Sequence, residues 1–209
     1  MLSTLASPTH LADFVPLAQR AVSIDAASMI RFRAAEQRIA GFVRLPYDVL
    51  AGRTLATDTA ESEPAASFDI TVAAADFLRW VDGSGPAPAG KDAHWLSALP
   101  PRRGWRRIEV VPDRVIRDLV RSGAELAAGA TSRQSQESLL ASVVLTATGD
   151  GSADPVQIRL GALTALTRMG FLPRDSQVGI DAGPGWVRLA AAYGSTYVTD
   201  GNPLGLLSL

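Results

Sequence analysis

Residues 83–91, Gly-Ser-Gly-Pro-Ala-Pro-Ala-Gly-Lys, cannot sustain a helix or a strand. The prolines remove backbone donors and fix φ, and each glycine loses more conformational entropy on ordering than any other residue. The chain changes character across this stretch. Strand-like patterns dominate before it and helical periodicity dominates after it, so residues 83–93 are the natural linker or loop.

Before the linker, Thr9 is a plausible N-cap for a helix through Ala21, with Leu11, Phe14 and Leu17 at helical spacing. Pro16 tells against its middle. Met29–Arg33, Arg38–Leu45 and Val49–Ala56 read as strands, and Pro46-Tyr47-Asp48 supplies the turn between the last two. Thr57 to Ser67 is acidic and Ala/Ser-rich, the composition of a mobile hairpin loop. Phe68–Val72 closes the sheet and feeds a helix over Ala73–Val81 that buries Phe77, Trp80 and Val81.

After the linker, Pro112 suits a first helical position, and Val115, Ile116, Leu119 and Val120 form one apolar stripe. Gly123 threatens to interrupt this helix and Gly129 to end it. A second helix is expected from Thr131 or Ser135 to Leu145, burying Leu139, Leu140, Val143 and Val144. A turn at 149–152, a brief strand at Val156–Ile158 and a helix over Leu160–Met169 follow. Gln177–Asp181 and Trp186–Ala190 flank Gly183-Pro184-Gly185 as a hairpin, and Tyr193–Val198 adds a last strand. The expected fold class is α+β, with a small antiparallel sheet in the N-terminal half and helices with a terminal β-hairpin in the C-terminal half. The expected organisation is a sheet-rich part over 1–82, the linker over 83–93, and a helical part over 94–209, with packing as a single domain left open.

At 209 residues, 47% of them apolar, the chain can bury a core without a staple. A domain of this size removes roughly 70% of its extended-chain surface from water. The absence of cysteine excludes disulfides, thiolate metal sites and a cysteine nucleophile. No apolar run reaches the length of a membrane span, and no basic residue precedes Arg20 to start a secretory signal. The expected location is the cytoplasm, away from membranes.

Charge is distributed in blocks. Residues 100–121 carry seven arginines against three acids, net +4, while the whole chain is −1. Arg102, Arg103, Arg106 and Arg107 surround Trp105 in a loop, and Arg114, Arg117 and Arg121 share the polar face of the helix that follows. Asp113 and Arg117, and Arg114 and Asp118, stand at i,i+4, a spacing worth a few tenths of a kcal/mol per pair. The four loop arginines repel one another unless acids, a partner or a polyanion neutralise them. These eight residues are the candidate binding site.

Catalytic patterns are missing: no nucleophile elbow, phosphate-binding loop, dinucleotide fingerprint or His-Glu-x-x-His run occurs. The two histidines, His10 and His94, do not define a metal site, so neither metal nor cofactor is expected. A helix over Leu160–Met169 followed by a hairpin has the order of a winged helix, yet it presents only Arg159, Arg168 and Arg188. The apolar end, Pro203–Leu209, must dock on its own core or on another subunit, which makes a homodimer plausible.

Leu45-Pro46-Tyr47-Asp48-Val49-Leu50 with Arg53, Leu99-Pro100-Pro101-Arg102-Arg103-Gly104-Trp105, and Thr167-Arg168-Met169-Gly170-Phe171-Leu172-Pro173 together resemble an uncharacterised actinobacterial family of roughly this length. The resemblance implies a cytoplasmic bacterial protein and carries over no functional residue. The functional expectation is a non-enzymatic binding or scaffolding protein that contacts a protein partner through its Arg/Trp loop. The alternative is a nucleic-acid-binding regulator with a winged-helix-like C-terminal part.

Overall fold

The computed structural model describes residues 8–35, 37–56, 67–129, 132–149 and 155–200. The expected loop over 57–66, the turn residues 150–152 and the apolar end from 203 lie outside them. The fold is α+β, in two compact units: residues 1–45 with 52–98, and residues 46–51 with 99–209.

The first unit opens with α1 (Pro8–Leu11), a 3-10 turn at Ala12–Phe14, and α2 (Val15–Ile24). Pro16 falls in the first turn of α2, where its missing N–H costs nothing, and so it starts this helix instead of breaking a longer one. Then come β1 (Met29–Ala35), β2 (Arg38–Leu45), β3 (Val49–Ala56), β4 (Phe68–Ala73) and α3 (Ala74–Val81). The order is β4-β1-β2-β3, with β1 antiparallel to both neighbours and Phe32 facing Gly41 on one side and Ile70 on the other.

Alternation sends Ile30, Phe32, Ile39, Val43, Ile70 and Val72 to one face, where Phe14, Leu17, Phe77 and Trp80 from the helical segments cover them. Phe32 sits at the centre, its ring 5.3 Å from Phe14 and 5.0 Å from Phe77. Gly41 is what lets Phe14 approach, since a Cβ there would lie 2.7 Å from its ring. In the turn after β2, Tyr47 and Asp48 adopt φ of 66° and 56°, a left-handed pair that Asp tolerates better than most residues.

The second unit contains β5 (Arg106–Pro112), α4 (Asp113–Ala128), α5 (Arg133–Ala141), β6 (Val143–Ala147), β7 (Val156–Arg159), α6 (Leu160–Arg168), β8 (Gln177–Gly183), β9 (Trp186–Ala191) and β10 (Gly194–Thr199). Four strands pair antiparallel in the order β10-β9-β8-β5, and β6 and β7 form a separate two-stranded sheet. Helix α6 is the central column, with Leu160, Gly161, Ala162, Leu163, Ala165 and Leu166 all buried. Thr196 of β10 donates to the Ala162 carbonyl at 3.3 Å, fixing α6 over the sheet.

Four local expectations change. Pro112 ends β5 in an extended conformation and caps α4 from outside, so it is not a helical residue. Gly123 lies inside a continuous α4, where it is buried against α6: a Cβ there would stand 2.5 Å from the Leu160 side chain. The second helix is capped by Ser132, whose hydroxyl accepts the Ser135 N–H, and it ends at Ala141. Val143 and Val144, expected on that helix, begin strand β6, in keeping with the β preference of branched side chains.

Candidate nucleic-acid interface

The polar face of α4 is built by a 16-residue helix whose other side buries Ile116 and Gly123. Arg117 is held on that face from two directions: its Nε donates to Asp113 at 3.0 Å and its Nη2 to the Leu172 carbonyl at 2.6 Å. The Arg117 guanidinium, bonded directly to the Asp113 carboxylate, holds that acid below its usual range, with the Arg117 charge and the Ser176 and Arg114 backbone adding to the effect. Arg121 pairs at i,i+3 with Asp118, the acid that the spacing offered to Arg114 at i,i+4. Arg114 stays exposed. Arg168 closes α6, which packs against α4 through Gly123 and Leu160. Helices α4 and α6 together hold four arginines and three acids, net +1.

The Arg/Trp segment divides. Arg102 and Arg103 are exposed in the turn before β5, whereas Arg106 and Arg107 belong to β5 itself. Trp105 is an anchor: its Nε1 donates to the Pro101 carbonyl at 2.9 Å, its ring lies on Gly183, and it stands 5.9 Å from Tyr197. The Arg188 guanidinium caps the same ring at 4.5 Å. Arg107 and Arg188 each bond one oxygen of the buried Asp181 carboxylate. Gly179 leaves room for the Arg107 guanidinium, which a side chain at that position would displace. Two planar groups, Arg107 and Trp105, thus lie flat on glycines either side of Asp181 along β8. Asp181 was legible as a strand acid beside Arg188 on the hairpin, but no spacing in the sequence connects it to Arg107.

His94 is exposed in a short 3-10 turn, Asp92–His94. Among the described residues no group of three His, Asp or Glu is arranged to hold a metal ion, and no helix is long and apolar enough to cross a membrane.

In fold the chain is similar to the sliding clamps of DNA polymerase. The clamp of Bacillus subtilis superposes with a TM-score of 0.60 at 16% identity, over 92% of this chain and 64% of that one. The DNA polymerase III subunit beta of Pseudomonas aeruginosa gives 0.57 at 13% identity, over 90% and 62%. The beta subunit of Streptococcus pyogenes gives 0.57 at 13%, over 91% and 62%. The chain therefore spans under two thirds of the length of the clamps it matches. Residues 3–97 match a domain of unknown function, DUF8010, and residues 100–203 match a second one, DUF8185. No curated protein sequence matches the chain.

These findings correct both functional expectations. A scaffold working through the Arg/Trp loop is overturned by the clamp fold, and the geometry explains why: Trp105 and Arg107 are committed to Pro101, Gly183 and Asp181 within their own unit. The winged-helix reading fails as well. Its recognition helix, α6, is buried, and its wing, β8–β9, is the middle of a four-stranded sheet flanked by β5 and β10.

Proposed function

We propose that the chain is a clamp-type protein that associates with double-stranded DNA, weakly and without sequence preference. The observation that carries this reading is the likeness in fold to DNA polymerase sliding clamps over at least 90% of the chain. The face assigned to DNA is the polar face of α4 with the exposed Arg168 at the end of α6, and Arg114, Arg117, Arg121 and Arg168 are its phosphate contacts. Arg117 is pre-oriented by Asp113 and Leu172, while Arg114 is free to turn toward solvent. Such contacts position a protein on a duplex without reading its bases. A cytoplasmic location belongs to the same proposal.

The small net charge sets the strength. Non-specific binding at physiological salt falls at about 10⁻⁴ to 10⁻⁶ M. Four phosphate contacts give a log–log salt slope of about −3.6, a loss of ~150-fold between 50 and 200 mM salt. Fluorescence anisotropy of a labelled duplex at those two concentrations is the test. Replacing Arg114, Arg121 and Arg168 by Ala should abolish the signal, and no binding by the unmodified chain at 50 mM would refute the proposal.

A protein partner or a second copy is the other reading, favoured by the overall charge of −1 and a pI of about 6.1. Sedimentation velocity across a concentration series distinguishes a self-associating chain from a monomer.

A further inference from the structure

An outermost strand exposes a row of unpaired N–H and C=O groups that another chain can extend. Strand β4 is outermost in the sheet of the first unit. Its Thr71 turns both backbone groups away from β1, and both are taken. The Asp92 carboxylate accepts the Thr71 N–H at 2.6 Å, and the Lys91 N–H donates to the Thr71 carbonyl at 2.7 Å. Gly90 lies against the Ile70 side chain, 3.7 Å from where its Cβ would be. Residues 90–92 thus supply, from a carboxylate and one peptide N–H, the two bonds that an added strand would make.

Among the described residues, nothing outside the sheet bonds the rest of this edge. Period-two alternation turns the backbone groups of Asp69 and Ala73 the same way as those of Thr71. The Asp69 charge is engaged by Arg31, which donates to both its oxygens at 2.6 and 3.0 Å. In a two-fold antiparallel pair of β4 strands centred on Thr71, Thr71 faces its own copy, and Asp69 of one faces Ala73 of the other. No like charges oppose one another in that register, and its central hydrogen-bonded pair is Thr71 with Thr71. The plug occupies that central pair. Thr71 is fully buried, and its hydroxyl is a buried side-chain oxygen without a partner among the described residues.

We infer that residues 90–92 are a built-in plug that prevents the β4 edge from pairing with β4 of a second copy of this chain. The inference is independent of DNA binding.

The chain has no cysteine, so one introduced thiol is a clean probe. In the two-fold pair, position 71 opposes itself at about 5.5 Å between Cα atoms, a separation that a disulfide spans. Thr71→Cys alone should give no covalent dimer under mild oxidation. Thr71→Cys with Asp92→Ala should give it, and Thr71→Cys with Asp92→Asn, which keeps an acceptor oxygen, should not. In Asp92→Ala alone the Thr71 amide should exchange roughly 10- to 100-fold faster, as expected for loss of a charge-assisted bond. Equal crosslinking with and without Asp92, or none in the Asp92→Ala pair, overturns the inference. So does loss of cooperative unfolding in Asp92→Ala, which would make Asp92 a structural tie of the unit and no plug.

Discussion

Arg107 and Asp181 stand 74 residues apart in the chain and share a salt bridge on the face of the β8 strand away from α6. The Asp181 side chain is only 2% exposed and depends on Arg107 and Arg188 for both of its oxygens. Removing the acid leaves two guanidiniums facing each other over a buried space. Breaking a buried pair from one side costs about 3–5 kcal/mol, and partial exposure of both arginines reduces this to roughly 2–4 kcal/mol for Asp181→Ala. Arg107→Ala, whose side chain is half exposed, should cost about 1–2 kcal/mol, and Arg102→Ala less than ~0.5 kcal/mol. Urea midpoints for the three variants test this ordering. Equal midpoints for Arg102→Ala and Arg107→Ala would show that Arg107 does not hold the sheet.

Gly123 and Leu160 set the approach of α4 to α6. Ala at position 123 gains about 1 kcal/mol of helix propensity but meets the Leu160 methyl at 2.5 Å. Overpacking in a filled core costs about 1–3 kcal/mol, so Gly123→Ala should be net destabilising by roughly 1 kcal/mol. In Gly123→Ala/Leu160→Ala the added methyl enters the space vacated by Leu160. A double-mutant cycle should therefore show a coupling of at least ~0.5 kcal/mol in the favourable direction. Strict additivity would mean that the two side chains do not compete for the same volume.

Legibility in the sequence tracked sequence distance. Strands β2 and β3 occupy the residues that alternation assigned them, because Pro46-Tyr47-Asp48 marks the turn between them. The pair Asp113–Arg117 was legible for the same reason, being four residues apart on one helix. Strand β5 was not: its first two residues, Arg106 and Arg107, read as part of a charged loop, and the register shift between Arg107 and Glu109 breaks the alternation. Strand β6 was hidden because Leu139 to Leu145 is apolar enough to continue a helix. The cluster around Asp181 suffered most. Arg107 and Trp105 meet Asp181, Gly183 and Arg188 only through β-sheet register, which no local pattern encodes.

Acid should weaken the fold in part through Asp113. Its folded carboxyl titrates below the ordinary value of 3.8 because Arg117 stabilises the charged form. A depressed folded pKa contributes stability that is present above the unfolded value and is lost as pH falls through the folded one. The urea midpoint should therefore drop between pH 5 and pH 3, and Asp113→Asn should drop less over the same interval. An identical pH profile for the two proteins would exclude Asp113 as a contributor.

Arg188 tests whether charge alone suffices at this site. Its guanidinium bonds Asp181 through Nε at 2.8 Å and Nη2 at 2.7 Å while lying 4.5 Å from the centre of the Trp105 ring. A lysine ammonium keeps the charge but cannot set two coplanar N–H groups on one carboxylate oxygen and cover the indole at once. Arg188→Lys should cost about 1 kcal/mol, the sum of one hydrogen bond and part of a cation–π contact. Trp105→Phe removes the Nε1 bond to Pro101 and should cost a similar amount. In the Trp105→Phe background the Arg188→Lys penalty should shrink, since Phe is the weaker cation–π partner. Chemical denaturation of the two single variants and the double variant measures this coupling, and an unchanged penalty would reduce the role of Arg188 to its bond with Asp181.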